Sequence, residues 1–245
     1  MSLSRTDQPS SEVEQLSNPY MSTIELAKTL SFLTSKIKTD LVLDLGCGIG
    51  AQSIYFANTF PEVQFLGLDY NQNHIEFAQR MVLKEKVANL TFEVFDVLSS
   101  EKTTLPKATV GKGLGLISIH TLCCFKNFEP FFDKVISINP NWIVINSLFC
   151  HGPLEVLVHV RELNNLRPDE DPDSDFNIFS KELVTTYLEN SGYKVEFKDF
   201  YPEKSLPAPE DGRRGTYTVS TDFHPRTQFS GPVHLPWSFL IAQKN

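Results

Sequence analysis

The sequence predicts an α/β fold, a doubly wound and mostly parallel seven-stranded sheet with helices on both faces. Three observations predict it. Short aliphatic runs alternate with stretches of helical spacing from residue 41 to residue 147. A glycine-rich turn follows the first of those runs directly. Extended segments broken by proline and glycine close the chain, so the sheet is expected to finish on an antiparallel C-terminal hairpin.

Residues 1–17 are polar, rich in Ser, Glu and Gln, and carry no hydrophobic period, which reads as a flexible N-terminal tail. Residues 18–245 read as a single domain. Apolar positions Ile24, Leu26, Ala27, Leu30, Phe32, Leu33 and Ile37 predict a lead-in helix over 21–38. The aliphatic run 41–45 suits a strand buried on both faces, and a helix over 52–58 follows its glycines. The alternation repeats as strand 64–69, helix 74–86, strand 90–96, strand 114–120, helix 125–138 and strand 142–147. Residues 153–166 read as an extra helix, and RPDEDPDSD (167–175) as an acidic, proline-punctuated loop, so 151–178 is expected to form a lid insertion after the fifth strand. Ser180 is placed to cap a helix over 181–190, Gly192 to stop it, and a strand over 194–200 to follow.

Composition narrows the function. The chain is 41% hydrophobic and 21% charged, ordinary for a globular protein, with neither an apolar span of membrane length nor the apolar core of a signal peptide. A cytoplasmic protein without membrane contact is therefore expected. Thirty Asp and Glu against 22 Lys and Arg give a net charge of -8, which repels phosphate backbones and disfavours nucleic-acid partners. Cys47, Cys123, Cys124 and Cys150 have no paired metal spacing, so no metal site is expected.

The most informative stretch is LVLDLGCGIGAQS (41–53). A nucleotide-like ligand lying across the carboxyl end of a strand approaches the backbone closely, and a Cβ at Gly46 or Gly48 would obstruct it. The following helix offers unpaired N–H groups and a positive dipole end. Gly46, Gly48 and Ala51 also satisfy the G-x-G-x-x-G/A dinucleotide fingerprint, so glycine spacing alone leaves a nicotinamide-dependent oxidoreductase open. Asp44, two residues before Gly46, disfavours a phosphate pair but suits a ligand with an ammonium and a sulfonium.

With these residues the chain resembles the class I S-adenosylmethionine-dependent methyltransferases, whose first motif is an acid followed by G-x-G-x-G, here Asp44, Gly46, Gly48 and Gly50. The resemblance implies S-adenosylmethionine as cofactor, with Asp44 orienting its methionine portion. It also implies that Asp69 holds the ribose hydroxyls, that Asp96 lies by the adenine amino group, and that Val97 supplies a backbone contact. Cys47, Tyr70 and Ile119 flank these positions and join the expected cofactor contacts. A carboxylate can accept two hydrogen bonds from vicinal hydroxyls, which suits the role given to Asp69.

The chain departs from the family where many relatives begin the fourth strand with aspartate and this one reads Gly113, Leu114, Gly115. SIHTLCCF stands where amino-methylating nucleic-acid enzymes carry an N-P-P-Y-like signature. A small-molecule acceptor is expected, with protein- or RNA-directed methylation as the alternative. If the acceptor loses a proton, His120 after the fourth strand and His151 after the fifth are the candidate bases. Trp237, Phe239 and Phe229 are expected to fill the core of the terminal strands.

Overall fold

A computed structural model of the chain describes residues 19–99, 113–161, 173–209 and 215–245. The expected tail at 1–17 and most of the acidic loop lie outside the described residues.

The first half runs α1 (Met21–Lys36), β1 (Leu41–Leu45), α2 (Ala51–Thr59), β2 (Gln64–Asp69), α3 (Gln72–Glu85), β3 (Leu90–Val94), β4 (Leu114–Ile119), α4 (Glu129–Ile138) and β5 (Trp142–Cys150). Two short strands, β6 (His159–Arg161) and β7 (Asp173–Asp175), precede β8 (Phe179–Ser180), α5 (Lys181–Glu189) and β9 (Tyr193–Asp199). The chain closes with β10 (Thr216–Val219), β11 (Thr227–Ser230), β12 (Val233–His234) and β13 (Trp237–Lys244).

The main sheet has the order β3-β2-β1-β4-β5-β13-β9, with β8 paired to the end of β5. Pairs from β3 to β5 are parallel, whereas β13 runs antiparallel to both β5 and β9. The chain leaves β1 toward β2 and β3, then returns to lay β4 on the other side of β1. That reversal opens a crevice at the carboxyl ends of β1 and β4, where ligands bind in sheets of this kind.

Burial on both faces explains the aliphatic strands. Leu41, Leu43 and Leu45 pack with Phe131, Phe132 and Val135 of α4 and with Val184 and Leu188 of α5. Val42, Ile117 and Val144 point to the opposite core, which holds Leu26 and Leu30 of α1, Ile54 of α2 and Ile75 of α3. All five residues of β1 are buried, including Asp44, which shares the second face with Val42. This buried acid is the one break in an otherwise apolar strand.

Three expectations need correction. No helix forms over the described part of 153–166. Val156 instead bridges Ile178, and β6 pairs antiparallel with β7. Val156, Val158 and Val160 recur at every second position, and β-branched residues favour extended backbone, so period 2 prevails over the helical reading. The last three residues of the acidic loop form β7, where Asp173 pairs with Arg161 and Asp175 with His159 across the ribbon. The helix expected from Phe125 begins at Glu129, because Pro130 fits a first turn, where its missing N–H leaves no bond unmade. The sheet closes on antiparallel strands as expected, β13 lying against β9, with β10, β11 and β12 between them in the chain as a separate three-stranded sheet.

Ser180 does cap α5, its Oγ accepting the N–H of Leu183 at 3.1 Å, and Gly192 turns the chain away at φ +87°. Replacing Ser180 with Ala should cost about 1 kcal/mol in urea unfolding, the usual worth of an N-cap. A loss below a few tenths would show that β8 pairing alone starts this helix.

Candidate functional site

Three glycines shape the loop after β1, each in the left-handed region: Gly46 at φ +77°, Gly48 at +55° and Gly50 at +82°. They differ in what surrounds them. A Cβ at Gly46 would stand 2.3 Å from Thr121 Oγ1, and one at Gly50 would stand 2.3 Å from Phe92 Cζ. At Gly48 nothing lies within 4 Å. Clearance for a ligand, expected at both Gly46 and Gly48, is thus a property of Gly48; the first and third glycines let the loop pack on its own protein. Both Gly46 and Cys47 donate their N–H to Leu68 O, at 2.7 and 3.1 Å, which fixes the loop onto the end of β2. No side chain caps the first turn of α2 behind it.

Two carboxylates meet this loop. Asp44 is 2% exposed and accepts a hydrogen bond from Ser53 Oγ at 2.5 Å. Among the described residues no cationic side chain pairs with it. Burial, opposed in part by the Ser53 bond and reinforced by the charge of Asp69, raises its pKa from 3.8 to about 7. Asp69, 7% exposed, accepts the N–H of Gly48 through Oδ2 and the N–H of Asn71 through Oδ1, each at 2.9 Å. His74 Nδ1 stands 3.5 Å from the same Oδ1. Burial and the two carboxylates also push the Cys47 thiol well above its ordinary value, so it is a neutral lining group.

Asp96 stands on the same edge, next to Phe95, whose N–H is donated to Asp69 O at 2.9 Å. It is exposed, and its Oδ1 accepts the N–H of Leu98 at 2.8 Å, the bond of a residue that caps its own turn. Tyr70 is 45% exposed, Val97 half-buried and Ile119 buried at the end of β4. The fold thus gathers Asp44, Cys47, Gly48 and Asp69 tightly, with Asp96 and Tyr70 at the open margin.

The two histidines part company. Pairing of Ile119 with Asn146 puts His120 beside Ser147, so His151 lies four residues further along, about 13 Å at the rise of a strand. His151 is exposed and faces Glu182 Oε1 at 3.2 Å. His120 adopts φ +56°, uncommon for a side-chain-bearing residue, and donates its N–H to Asn146 O at 2.9 Å. Its carbonyl accepts from the thiols of Cys123 and Cys124.

Sequence reasoning missed three neighbours. Trp237, expected in the core, is half-buried with its ring 4.3 Å from that of His120. The available signal was topological: an antiparallel last strand begins on the edge where the parallel strands end. Asn177 donates Nδ2–H to Phe125 O and its N–H to Cys123 O, and it accepts the N–H of Val158, so it ties the segment after β5 to the turn after β4. Asn146, 1% exposed, donates to Ser238 O, while its Oδ1 and the Oγ of Ser147 have no partner among the described residues. Buried polar atoms left so are costly in a closed core and ordinary beside a ligand pocket.

Residues 37–187, more than half of the chain, match the family described as a methyltransferase domain. An uncharacterized protein of Rickettsia prowazekii (strain Madrid E) is 29% identical over 85 residues, 35% of this chain; the match spans about a third (33%) of that relative's length. Among solved structures, the YcgJ protein of Bacillus subtilis aligns with 90% of this chain and 99% of its own at 14% identity and a TM-score of 0.58. Magnesium protoporphyrin IX methyltransferase of Synechocystis PCC 6803, crystallised with S-adenosylmethionine, aligns with 98% of this chain and 86% of its own at 13% identity and a TM-score of 0.55. At these identities the two structures establish the shared fold.

The raised pKa of Asp44 makes a signed prediction. Because the folded value lies above the unfolded one, the native state holds this proton more tightly, and stability is lost as pH rises from about 4 through about 7. Asp44→Asn should therefore gain on the parent protein at pH 8 relative to pH 5, by on the order of 2 to 3 kcal/mol of unfolding free energy. An equal difference at the two pH values would refute the buried charge.

Proposed function

The chain belongs to the methyltransferase-domain family, and from that membership we propose that it moves a methyl group from S-adenosylmethionine to a small-molecule acceptor. The observation that carries the cofactor is Asp44, a buried carboxylate with no cationic partner among the described residues, at the loop whose Gly48, unlike Gly46 and Gly50, would meet nothing with a Cβ. An ammonium and a sulfonium fit beside it, whereas a second pair of negative charges would add to the repulsion already present between Asp44 and Asp69. This weighs against the dinucleotide reading left open by Gly46, Gly48 and Ala51.

S-adenosylmethionine supplies a methyl group on a positively charged sulfur with a good neutral leaving group. The protein's part is to hold, align and exclude water. Gly48 leaves room for close backbone approach. Asp44 provides the anionic counterpart for the methionine ammonium. Asp69 already accepts two backbone N–H groups, and its remaining lone pairs suit ribose hydroxyls. Asp96 and Val97 at the margin suit the adenine, with Asp96 keeping its turn through one oxygen. His120 is the stronger base candidate, since it stands one residue from Thr121, whose side chain fills the space over Gly46. His151, paired with Glu182, is better suited to the rim.

The small-molecule acceptor is supported by the net charge of -8, which disfavours nucleic acid. No described helix is long and apolar enough to cross a membrane. Magnesium protoporphyrin IX, named for a protein of the same fold, is a small molecule, and that likeness supports the class without naming the substrate.

S-adenosylhomocysteine should raise the melting temperature, and NAD should leave it unchanged. Asp69→Ala should weaken S-adenosylhomocysteine binding by about 1 to 3 kcal/mol in calorimetry, the worth of hydrogen bonds to a charged acceptor. Stabilisation by NAD alone would overturn the cofactor, and unchanged affinity in the variant would remove Asp69 from the ribose site.

A further inference from the structure

β13 runs antiparallel to β5, so its first residue, Trp237, stands on the edge where β1 to β5 end. Its pair on β5 is Leu148, near the end of that strand. The indole is half-buried, unlike Phe239 two residues on, which is 1% exposed, or Trp142, which is fully buried. Its ring lies 4.3 Å from that of His120 with the planes inclined by 43°. Around it stand Leu148, Cys123, Ile178 and Leu235, all buried, with Cys124 and Cys150 partly open. These are an indole, thiols and aliphatic groups, which offer dispersion and a π face rather than ion pairing.

The wall joins the cofactor loop through two consecutive residues. Thr121 fills the space over Gly46, its hydroxyl within donor reach of Gly46 O at 3.3 Å and of Ile119 O at 3.1 Å. His120, just before it, carries the imidazole that lies tilted against Trp237. A left-handed conformation at a residue with a side chain is strained, and such strain persists where the surroundings over-determine it. Here the surroundings are the bond to Asn146 O and the two thiols on the His120 carbonyl. Asn177 fixes the other side by joining Cys123, Phe125 and Val158. The result is a rigid aromatic surface beginning one residue from the glycine loop, and nothing in the architecture of the sheet requires an indole at that position.

We propose that Trp237 is a specificity-determining residue for the acceptor, which is a planar aromatic molecule that stacks along this wall and presents its nucleophilic atom toward His120. The assignment rests on the methyl-transfer reading above and names the substrate class that reading leaves open. An aromatic ring against Trp237 gains stacking in addition to apolar burial, whereas a saturated ring of the same size gains burial alone. Among the described residues of this wall, a peptide or a phosphate-rich acceptor finds no positive charge.

The chain's two tryptophans make the test direct. Trp142 is fully buried, its Nε1–H donated to Thr39 Oγ1 at 2.9 Å, so a ligand at the edge alters the emission of Trp237. The protein is first saturated with S-adenosylhomocysteine, then titrated with phenols, catechols and aromatic amines and, in parallel, with their ring-saturated counterparts. Saturable quenching by aromatic members and at least tenfold weaker binding of the saturated ones are expected. By calorimetry, Trp237→Ala should lose at least tenfold in aromatic affinity and Trp237→Phe should recover most of it, while both keep the parent affinity for S-adenosylhomocysteine. Equal affinity for the two ring types, absence of quenching by every aromatic member, or aromatic binding unchanged in Trp237→Ala would overturn the proposal. Failure of S-adenosylhomocysteine to bind the parent protein would instead overturn the methyl-transfer reading on which it stands.

Discussion

The arrangement around the crevice depends on a carboxylate buried at the end of the central strand with no cationic partner among the described residues. Asp44 sits between two apolar neighbours on β1, held by one serine and repelled by Asp69. A negative charge so placed is unfavourable for folding, and the surrounding structure offsets it with packing on both faces of the sheet. The outcome is a concentration of negative charge beside the glycine loop. Asp69 then fixes the loop by taking the N–H of Gly48, so the carboxylate that repels Asp44 also holds open the ground beside it.

Much of this was legible because it depends on local pattern. The strand at Leu41–Leu45, the second strand at Gln64–Asp69 and the cap at Ser180 follow from aliphatic runs, helical spacing and capping chemistry, which one sequence carries. The acids were legible for the same reason, since each ends or follows a recognisable strand in a fold that sends successive strand ends to one edge. Less visible was what each residue does there. Gly46 and Gly50 look identical to Gly48 in sequence, yet Thr121 and Phe92, which explain them, arrive from distant segments.

The misreadings share that cause. Residues 153–161 carry enough apolar positions for a helix, and their pairing with 173–178 across a long separation decides otherwise. Trp237 looked like core because its neighbours Phe239 to Ala242 are core; only the antiparallel direction of the last strand turns its first residue toward the site. Non-local contacts, absent from any window of sequence, account for both.

The position of β13 has a consequence for assembly. It is the last strand in sequence but an interior strand in the sheet, between β5 and β9. Until it arrives, β5 and β9 each present an unpaired edge, and the pairing that covers them has high sequence separation on both sides. The half bearing the glycine loop can form from consecutive parallel units, whereas the aromatic wall waits for the final segment. A nascent or truncated chain lacking that segment is therefore an aggregation hazard with two open strand edges, a vulnerability that chaperones, rather than the core itself, would have to cover.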